Sequence, residues 1–321
     1  MKKYFLFALS ALILFSMSAA PVWAAKYPNR PVNMIIAFTA GGSSDVQARL
    51  MQKHWNKHVD QNWVFVYKTG AAGAIGFGEI ARARPDGYTI GGMNIPHLVL
   101  QPIILDAPFS IHDFAYICQV VNDPQVVAVR KDSTFKTVQE LFNHVKANPQ
   151  RVKLGMVGPN SGQHLMLLDV VDKYDYFKVT EIMYKGAADQ NMALLGGEID
   201  VMFGNLNDVM RSLDEMRILA IAHTQRHDFV PDIPTMREAG FDIVSGIQRG
   251  YAAPKGINPQ QLAFLRDVFK KIANDPEYLA DMKTAGQPAE YMDGDAFYEF
   301  IKEQDAFART MQTRIGVIKP K

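Results

Sequence analysis

The residues best placed to do chemistry lie in one short turn, Thr39-Ala40-Gly41-Gly42-Ser43-Ser44-Asp45. The apolar run PVNMIIAF precedes it, and DVQARLMQKHW, with apolar residues at helical spacing, follows. Gly41 and Gly42 open backbone angles closed to other residues. Ser43, Ser44 and Asp45 are all favoured at helix N-caps. A helix that begins here aims its free N–H groups and the positive end of its dipole at the turn. That is the chemistry of carboxylate or phosphate capture without a lysine. A capped turn that holds nothing fits the same residues equally well. Two further turns have the same character: TGAAGAIGFGEI from Thr69 to Ile80, and GMVGPNSGQHL from Gly155 to Leu165, where Asn160 or Ser161 can cap a helix beginning near Gln163. Neither is a phosphate-binding loop, because no Gly-Lys-Ser/Thr follows, and the order of Gly73, Gly76 and Gly78 is wrong for a dinucleotide fingerprint.

Covalent and metal chemistry find less support. Ser161 stands wrongly within GPNSG for a nucleophile elbow. Cys118 sits in apolar FAYICQVV, which predicts a buried, inert thiol. His54 and His58 lie four apart, as do His223 and His227, but neither pair carries the Glu of H-E-x-x-H. Their expected place is a solvated helix face or a strand-end loop. No catalytic residue, metal or cofactor is therefore expected.

The elements that must position the three turns can be read from periodicity. VNMIIAF, WVFVYK, YTIGGMN, QVVAVR, VKLGMVG, KVTEIMY, DVMFGN and RILAIAH read as short buried strands. Between them lie the helix-like stretches IGFGEIARAR, TVQELFNHVKAN, GQHLMLLDVVDKY, AADQNMALLGG and PTMREAG. Such alternation predicts βαβ units and a mostly parallel sheet covered on both faces. In such sheets ligands sit at the carboxyl ends of strands, where the three turns would gather. The C-terminal part, from about Asn258, is mainly helical, and Asp293 or Asp295 would cap its last helix. The chain of 321 residues suffices for two domains, and 48% hydrophobic with 21% charged residues suits a soluble globular protein.

The chain opens on Lys2, Lys3 and the apolar run YFLFALSALILF, followed by small residues through Val22-Trp23-Ala24. This pattern predicts a secretory leader over 1–24, cut near Ala24. Removing its two lysines from 34 basic residues leaves 32 against 33 acidic ones. That balance argues against a nucleic-acid or membrane-surface partner. The lone cysteine cannot form an internal disulfide and lies far from the leader, so it offers no lipid anchor at the new N-terminus. A free periplasmic protein is expected.

Several phrases resemble a known family. YPNRPVNMIIAFTAGGSSDVQAR, ARARPDGYTI, YKGAADQNMALLGGEIDVMF, RILAIAHTQRHDFVPDIPTMREAGFD and RGYAAPKGI match, in order, blocks of the solute receptors of tripartite tricarboxylate transporters, the Bug-type, TctC-like family. The resemblance implies a two-domain Venus-flytrap fold of the type II periplasmic-binding class that closes on a ligand. Domain one would hold 25–122 plus 249–321, and domain two 123–248, with crossings near Asn122–Val126 and Ile243–Gln248. It also implies a small organic acid, a di- or tricarboxylate, delivered to integral-membrane permease subunits by a monomeric receptor. By position, the first-domain grip is Phe38, Thr39, Gly41, Gly42, Ser43 and Ser44, with Ala71, Ala72 and Gly73 beside it and Asn94 in a strand-end loop. The second domain adds Asn160, Ser161, Gly162, Gln163 and His164, then Asn205 and Asp208. Asp45 reads as a helix cap rather than a ligand contact. Tyr67-Lys68-Thr69 and Gln248-Arg249-Gly250 depart from the family pattern. Arg249 falls at the expected hinge, where it either reaches a carboxylate bidentately or forms an interdomain salt bridge; it is included among the ligand residues. The competing readings are a secreted α/β hydrolase and a sensory ligand-binding module.

Overall fold

The N-terminal strands β1 (Val32–Ile36), β2 (Trp63–Tyr67) and β3 (Thr89–Ile95) pair in parallel, with β1 in the middle. The structure, a computed structural model, describes residues 27–158, 161–184 and 186–318. The expected leader at 1–24 and the expected ligand residue Asn160 lie outside these residues. Helix α1 (Ser43–Trp55) joins β1 to β2, α2 (Ala74–Arg82) joins β2 to β3, and α3 (His97–Ile104) follows β3. Strand β4 (Phe114–Arg130) then runs for 17 residues without a break. After α4 (Val138–Ala147) comes a second parallel trio, β5 (Lys153–Val157), β6 (Thr180–Tyr184) and β7 (Val201–Asn205), with β5 in the middle. It carries α5 (Gly162–Lys173) and α6 (Ala187–Leu195), and a short α7 (Leu206–Val209) opens after β7. Strands β8 (Met216–Ile221) and β9 (Gly246–Pro254), helices α8 (Pro259–Ala273) and α9 (Pro276–Thr284), strand β10 (Ala289–Asp293) and helix α10 (Gly294–Arg314) complete the order.

The sheet runs β2-β1-β3-β9-β4-β7-β5-β6, with β8 and β10 also on β4. Its two parts meet in β4. From Phe114 to Pro124 that strand pairs with β9, and from Gln125 onward it pairs with β7 and β8. The α/β class and two-domain layout expected from the sequence are both present. The parallel trios are the helix-covered core of each half, whereas every antiparallel pair among the described residues involves β4 or β9.

Both faces of each half are buried, as the unbroken apolar runs imply. In the first half, Met34 and Ile36 point into a cluster with Trp55, Trp63, Tyr251 and Phe269, while Ile35 and Ala37 point into another with Phe77, Leu98 and Phe297. The second half repeats this. Val127 and Val129 meet Phe142, Phe177 and Phe203 on one side, and Val126 and Ala128 meet Met202, Leu206 and Ile218 on the other. One local expectation changes and one open alternative closes. PTMREAG makes a turn rather than a helix. Thr235 and Glu238 exchange cap hydrogen bonds of 2.8 and 3.0 Å, but Gly240 at φ +88° ends the turn before a helix can propagate. Asp293, not Asp295, caps α10, accepting from the N–H groups of Asp295 and Ala296.

Candidate functional site

The turn between β1 and α1 supplies the first part of the site. Gly41 stands at φ +80°, in the left-handed region that favours glycine, and Gly42 occupies the N-cap position with no side-chain cap. Asp45, the third helical residue, reaches back to accept the Gly41 N–H at 2.8 Å. It also accepts the Tyr67 hydroxyl at 2.7 Å and pairs with Arg49. Burial pushes the Asp45 carboxyl up, but the bonds from Gly41, Tyr67 and Arg49 outweigh it and hold the group below the usual range. Asp45 thus braces the turn from within the first helical turn, while the N-cap position expected of Ser43, Ser44 or Asp45 falls to Gly42. The N–H groups of Ser43 and Ser44 at the helix mouth have no acceptor among the described residues. Thr39 is exposed beside them, and its carbonyl takes the Gly42 N–H.

Ser44 and Asn94 come together as a pair, with Asn94 Nδ2 donating to Ser44 Oγ at 2.9 Å. The second turn lies beside them. Ala71 and Ala72 hold left-handed angles of φ +47° and +49°, unusual for residues with a Cβ, and both are exposed. Gly73 is buried against aromatic rings: a Cβ there would stand 2.7 Å from Phe77 and 3.1 Å from Phe38. Phe38 in turn meets the His97 ring edge-on at 5.4 Å.

From the second half, α5 begins at the same place. Ser161 caps it by accepting the His164 N–H at 3.2 Å, and Gln163 Oε1 accepts the Val157 N–H at 2.7 Å. Both side chains therefore serve their own backbone. Gly162, at the start of α5, packs against its own half and lies near Pro96 of the other. A Cβ on it would stand 2.6 Å from Ile247, 2.8 Å from Gln125 Nε2 and 3.3 Å from Pro96. His164 is half-buried, and burial pulls its pKa down against the pull of Glu181. At the start of α7, Asn205 Nδ2 donates to Asp208 at 3.0 Å, while Asn207 Nδ2 donates to Ser43 Oγ at 2.7 Å across 164 residues of sequence.

Sheet register explains why these ends converge. Asn94 pairs with Arg249, Arg249 with Val121, and Gln125 with Asn205. Side chains two apart share a face, so Asn94, Arg249, Asp123, Gln125 and Asn205 form one polar row across the place where β4 changes neighbours. All are buried except Asn205, which is half-buried. Arg249 Nη1 donates to Asp123 at 3.2 Å, and Asp123 also accepts the Asn207 N–H at 3.1 Å. The salt-bridge alternative for Arg249 is thus the contact made here, and its Nε is buried without a partner among the described residues. Burial pushes the Asp123 carboxyl up to about 7 against the lowering effect of Arg249, with Asp208 adding to the rise. Burial, then the Arg249 charge, drives His97 down to about 4.

Other titratable groups lie elsewhere. Cys118 is fully buried, which raises its thiol pKa. His54, Glu277 and Asp281 gather between α1 and α9, with His54 Nε2 at 2.7 Å from Asp281. Lys53 and Lys57 already answer those carboxylates at 2.8 and 2.7 Å. Three residues of the polar network, Asp123, Gln125 and Asn207, were not among those expected. The one signal for the first two is that Asp123 and Gln125 stand two apart inside apolar sequence, but the Asn122-Asp123-Pro124 there reads as a turn rather than as a strand; nothing local marks Asn207.

Residues 47–317 match the family model described as "Tripartite tricarboxylate transporter family receptor". BugT of Bordetella pertussis is 30% identical over 77% of this chain and 77% of its own length. A TctC solute-binding protein from Polaromonas, solved without ligand, superposes with a TM-score of 0.76 at 30% identity, covering 90% of this chain and 99% of that one. A protein of R. palustris solved with adipate shares the fold at a TM-score of 0.81 and 21% identity, over 90% of this chain and 98% of that one. Among the described residues no helix is long and apolar enough to cross a membrane. The chain belongs to the receptor family of the tripartite tricarboxylate transporters.

Proposed function

We propose that the protein is a periplasmic receptor, not an enzyme, which traps a small organic acid between two lobes and delivers it to tripartite-type permease subunits. The leader is cut near Ala24 and the receptor acts as a monomer. The lobes are 25–122 with 249–321, and 123–248, hinged where β4 changes neighbours and β9 begins. The observation that carries this is the meeting of helix starts from both halves. The mouth of α1 with its unanswered N–H groups, the Ala71–Gly73 turn, and the starts of α5 and α7 face one another across the Ser43–Asn207 bond, with Gly162 placed so that a Cβ on it would stand 3.3 Å from Pro96. Helix mouths favour an anion, and a desolvated carboxylate needs several donors at once.

Phe38, Thr39, Gly41, Gly42, Ser43 and Ser44 would grip one carboxylate, with Ala71 to Gly73 and Asn94 beside them. Asn160 to His164, Asn205 and Asp208 would close over the other end. The adipate found in the R. palustris relative of the fold supports a dicarboxylate of modest length. Closure would be the signal read by the permease, a population shift toward the trapped state. A thermal-shift screen of the purified protein against mono-, di- and tricarboxylates tests this. At least one acid should raise the melting temperature, since a ligand bound only by the folded state stabilises it. Stabilisation by sugars alone would overturn the assignment.

A further inference from the structure

The polar row contains one side chain with nothing to do. Gln125 is 0% exposed, and neither Nε2 nor Oε1 has a hydrogen-bond partner among the described residues. Its backbone is fully engaged: the N–H donates to the Ser245 carbonyl at 2.9 Å, and its carbonyl accepts the Ala222 N–H at 2.7 Å. The strand therefore needs no help from the amide. Buried amides are almost always paired, and an orphaned one destabilises the fold. The side chain is also aimed at the gap between the halves. Its Nε2 lies 2.8 Å from where a Cβ on Gly162, at the mouth of α5, would stand, and Pro96 of the other half lies 3.3 Å from the same point. Directly across the ladder stands Asn205, with Cβ atoms of such pairs about 5 Å apart. Asn205 donates to Asp208, which fixes its amide orientation and leaves Oδ1 buried without a partner.

We infer that Gln125, with Asn205 Oδ1, is a ligand-contacting specificity site for a neutral group that both accepts and donates hydrogen bonds, a hydroxyl or primary amide on the acid held at the helix mouths. This rests on the acid-receptor reading above. A hydroxyl accepts from Gln125 Nε2 and gives its hydrogen to Gln125 Oε1 or Asn205 Oδ1, and a primary amide does the same. A bare carboxylate satisfies Nε2 but brings no hydrogen to the two carbonyl oxygens, and a methylene satisfies nothing. Whichever way the Gln125 amide is turned, it presents one donor end and one acceptor end, so the conclusion is unchanged. A site built to hydrogen-bond a substituent rejects the analogue that lacks it, because its own polar groups are then left unpaired.

Matched acids titrated calorimetrically into the purified protein test this: propionate with lactate, succinate with malate, and succinate with succinamate. In at least one pair the member bearing the neutral group should bind about tenfold tighter or more. Gln125→Met, close in volume, should bind both members alike while melting at or above the wild-type temperature without ligand. Gln125→Leu provides the same comparison should the methionine variant fold poorly. Absence of preference in every pair, or its persistence in both variants, overturns the assignment of Gln125 and leaves acid binding standing. Failure of all these acids to bind overturns the inference and the receptor reading together.

Discussion

The two faces of the crossing strands β4 and β9 carry the same kinds of side chain and use them differently. On one face Arg249, Asp123 and Gln125 are buried, and their few bonds tie the two halves to the helix mouths. On the other, Gln248 donates to Asn122 at 2.8 Å, and Asn122 reaches Glu290 at 3.1 Å and His223 at 3.4 Å, with every member at least partly open to solvent. Water can replace any partner lost from the second network but none lost from the first. Polarity alone therefore does not mark a site; polarity held away from water between the two halves does.

The largest test of that contrast is Arg249→Ala. At pH 8, with Asp123 charged, loss of its partner should destabilise the protein by about 3–5 kcal/mol in urea unfolding, whereas Gln248→Ala on the open face should cost under about 1 kcal/mol. Arg249→Met with Asp123→Leu should restore most of the loss, because the pair is then removed whole. Equal costs on the two faces would erase the distinction.

Protonation sharpens it next. Asp123 is raised to about 7, so the folded state keeps a proton that the unfolded chain releases above about pH 4. Its contribution therefore falls as pH rises from about 4 to 7. His97 is lowered to about 4, so its contribution is intact above about 6.5 and is lost as pH falls toward 4. The two slopes oppose each other, each at most about 1.4 kcal/mol per pH unit. These two contributions therefore partly cancel over this window. Asp123→Asn should become less stable toward acid and His97→Gln more stable. Parallel curves for all three proteins would remove both groups from the account.

The smallest effect concerns the bond between halves. Asn207→Ala should weaken binding of a stabilising acid by about fivefold, from a loss of about 1 kcal/mol. Ser43→Ala added to it should cost much less than Ser43→Ala alone, since both remove one interaction. Full additivity would mean that Ser43 and Asn207 act separately.

Much of the fold was legible because each half is a strand-turn-helix series with unbroken apolar strands, and the glycine-rich turns marked three of the helix mouths. Strand β4 was not legible as one element. Asn122-Asp123-Pro124 reads as a turn, yet Pro124 is tolerated where the ladder changes partners. Helix α3 was hidden by Pro102 within it. In the site, the β1–α1 turn and the Ser161 cap followed from local type, whereas Asn94 and Gly162 came only from the family resemblance. Asp123, Gln125 and Asn207 depend on register between strands far apart in sequence, which no local pattern carries.

The central claim is that an acid is held by helix mouths brought together at Gly162. Calorimetric titration of a stabilising acid into Gly162→Val measures this most directly, because a side chain there crowds the mouth of α5 against Ile247 and Gln125 and stands 3.3 Å from Pro96 of the other half. The account predicts at least a hundredfold weaker binding, about 2.7 kcal/mol, in the variant that remains folded at the titration temperature. Wild-type affinity in that variant would contradict it.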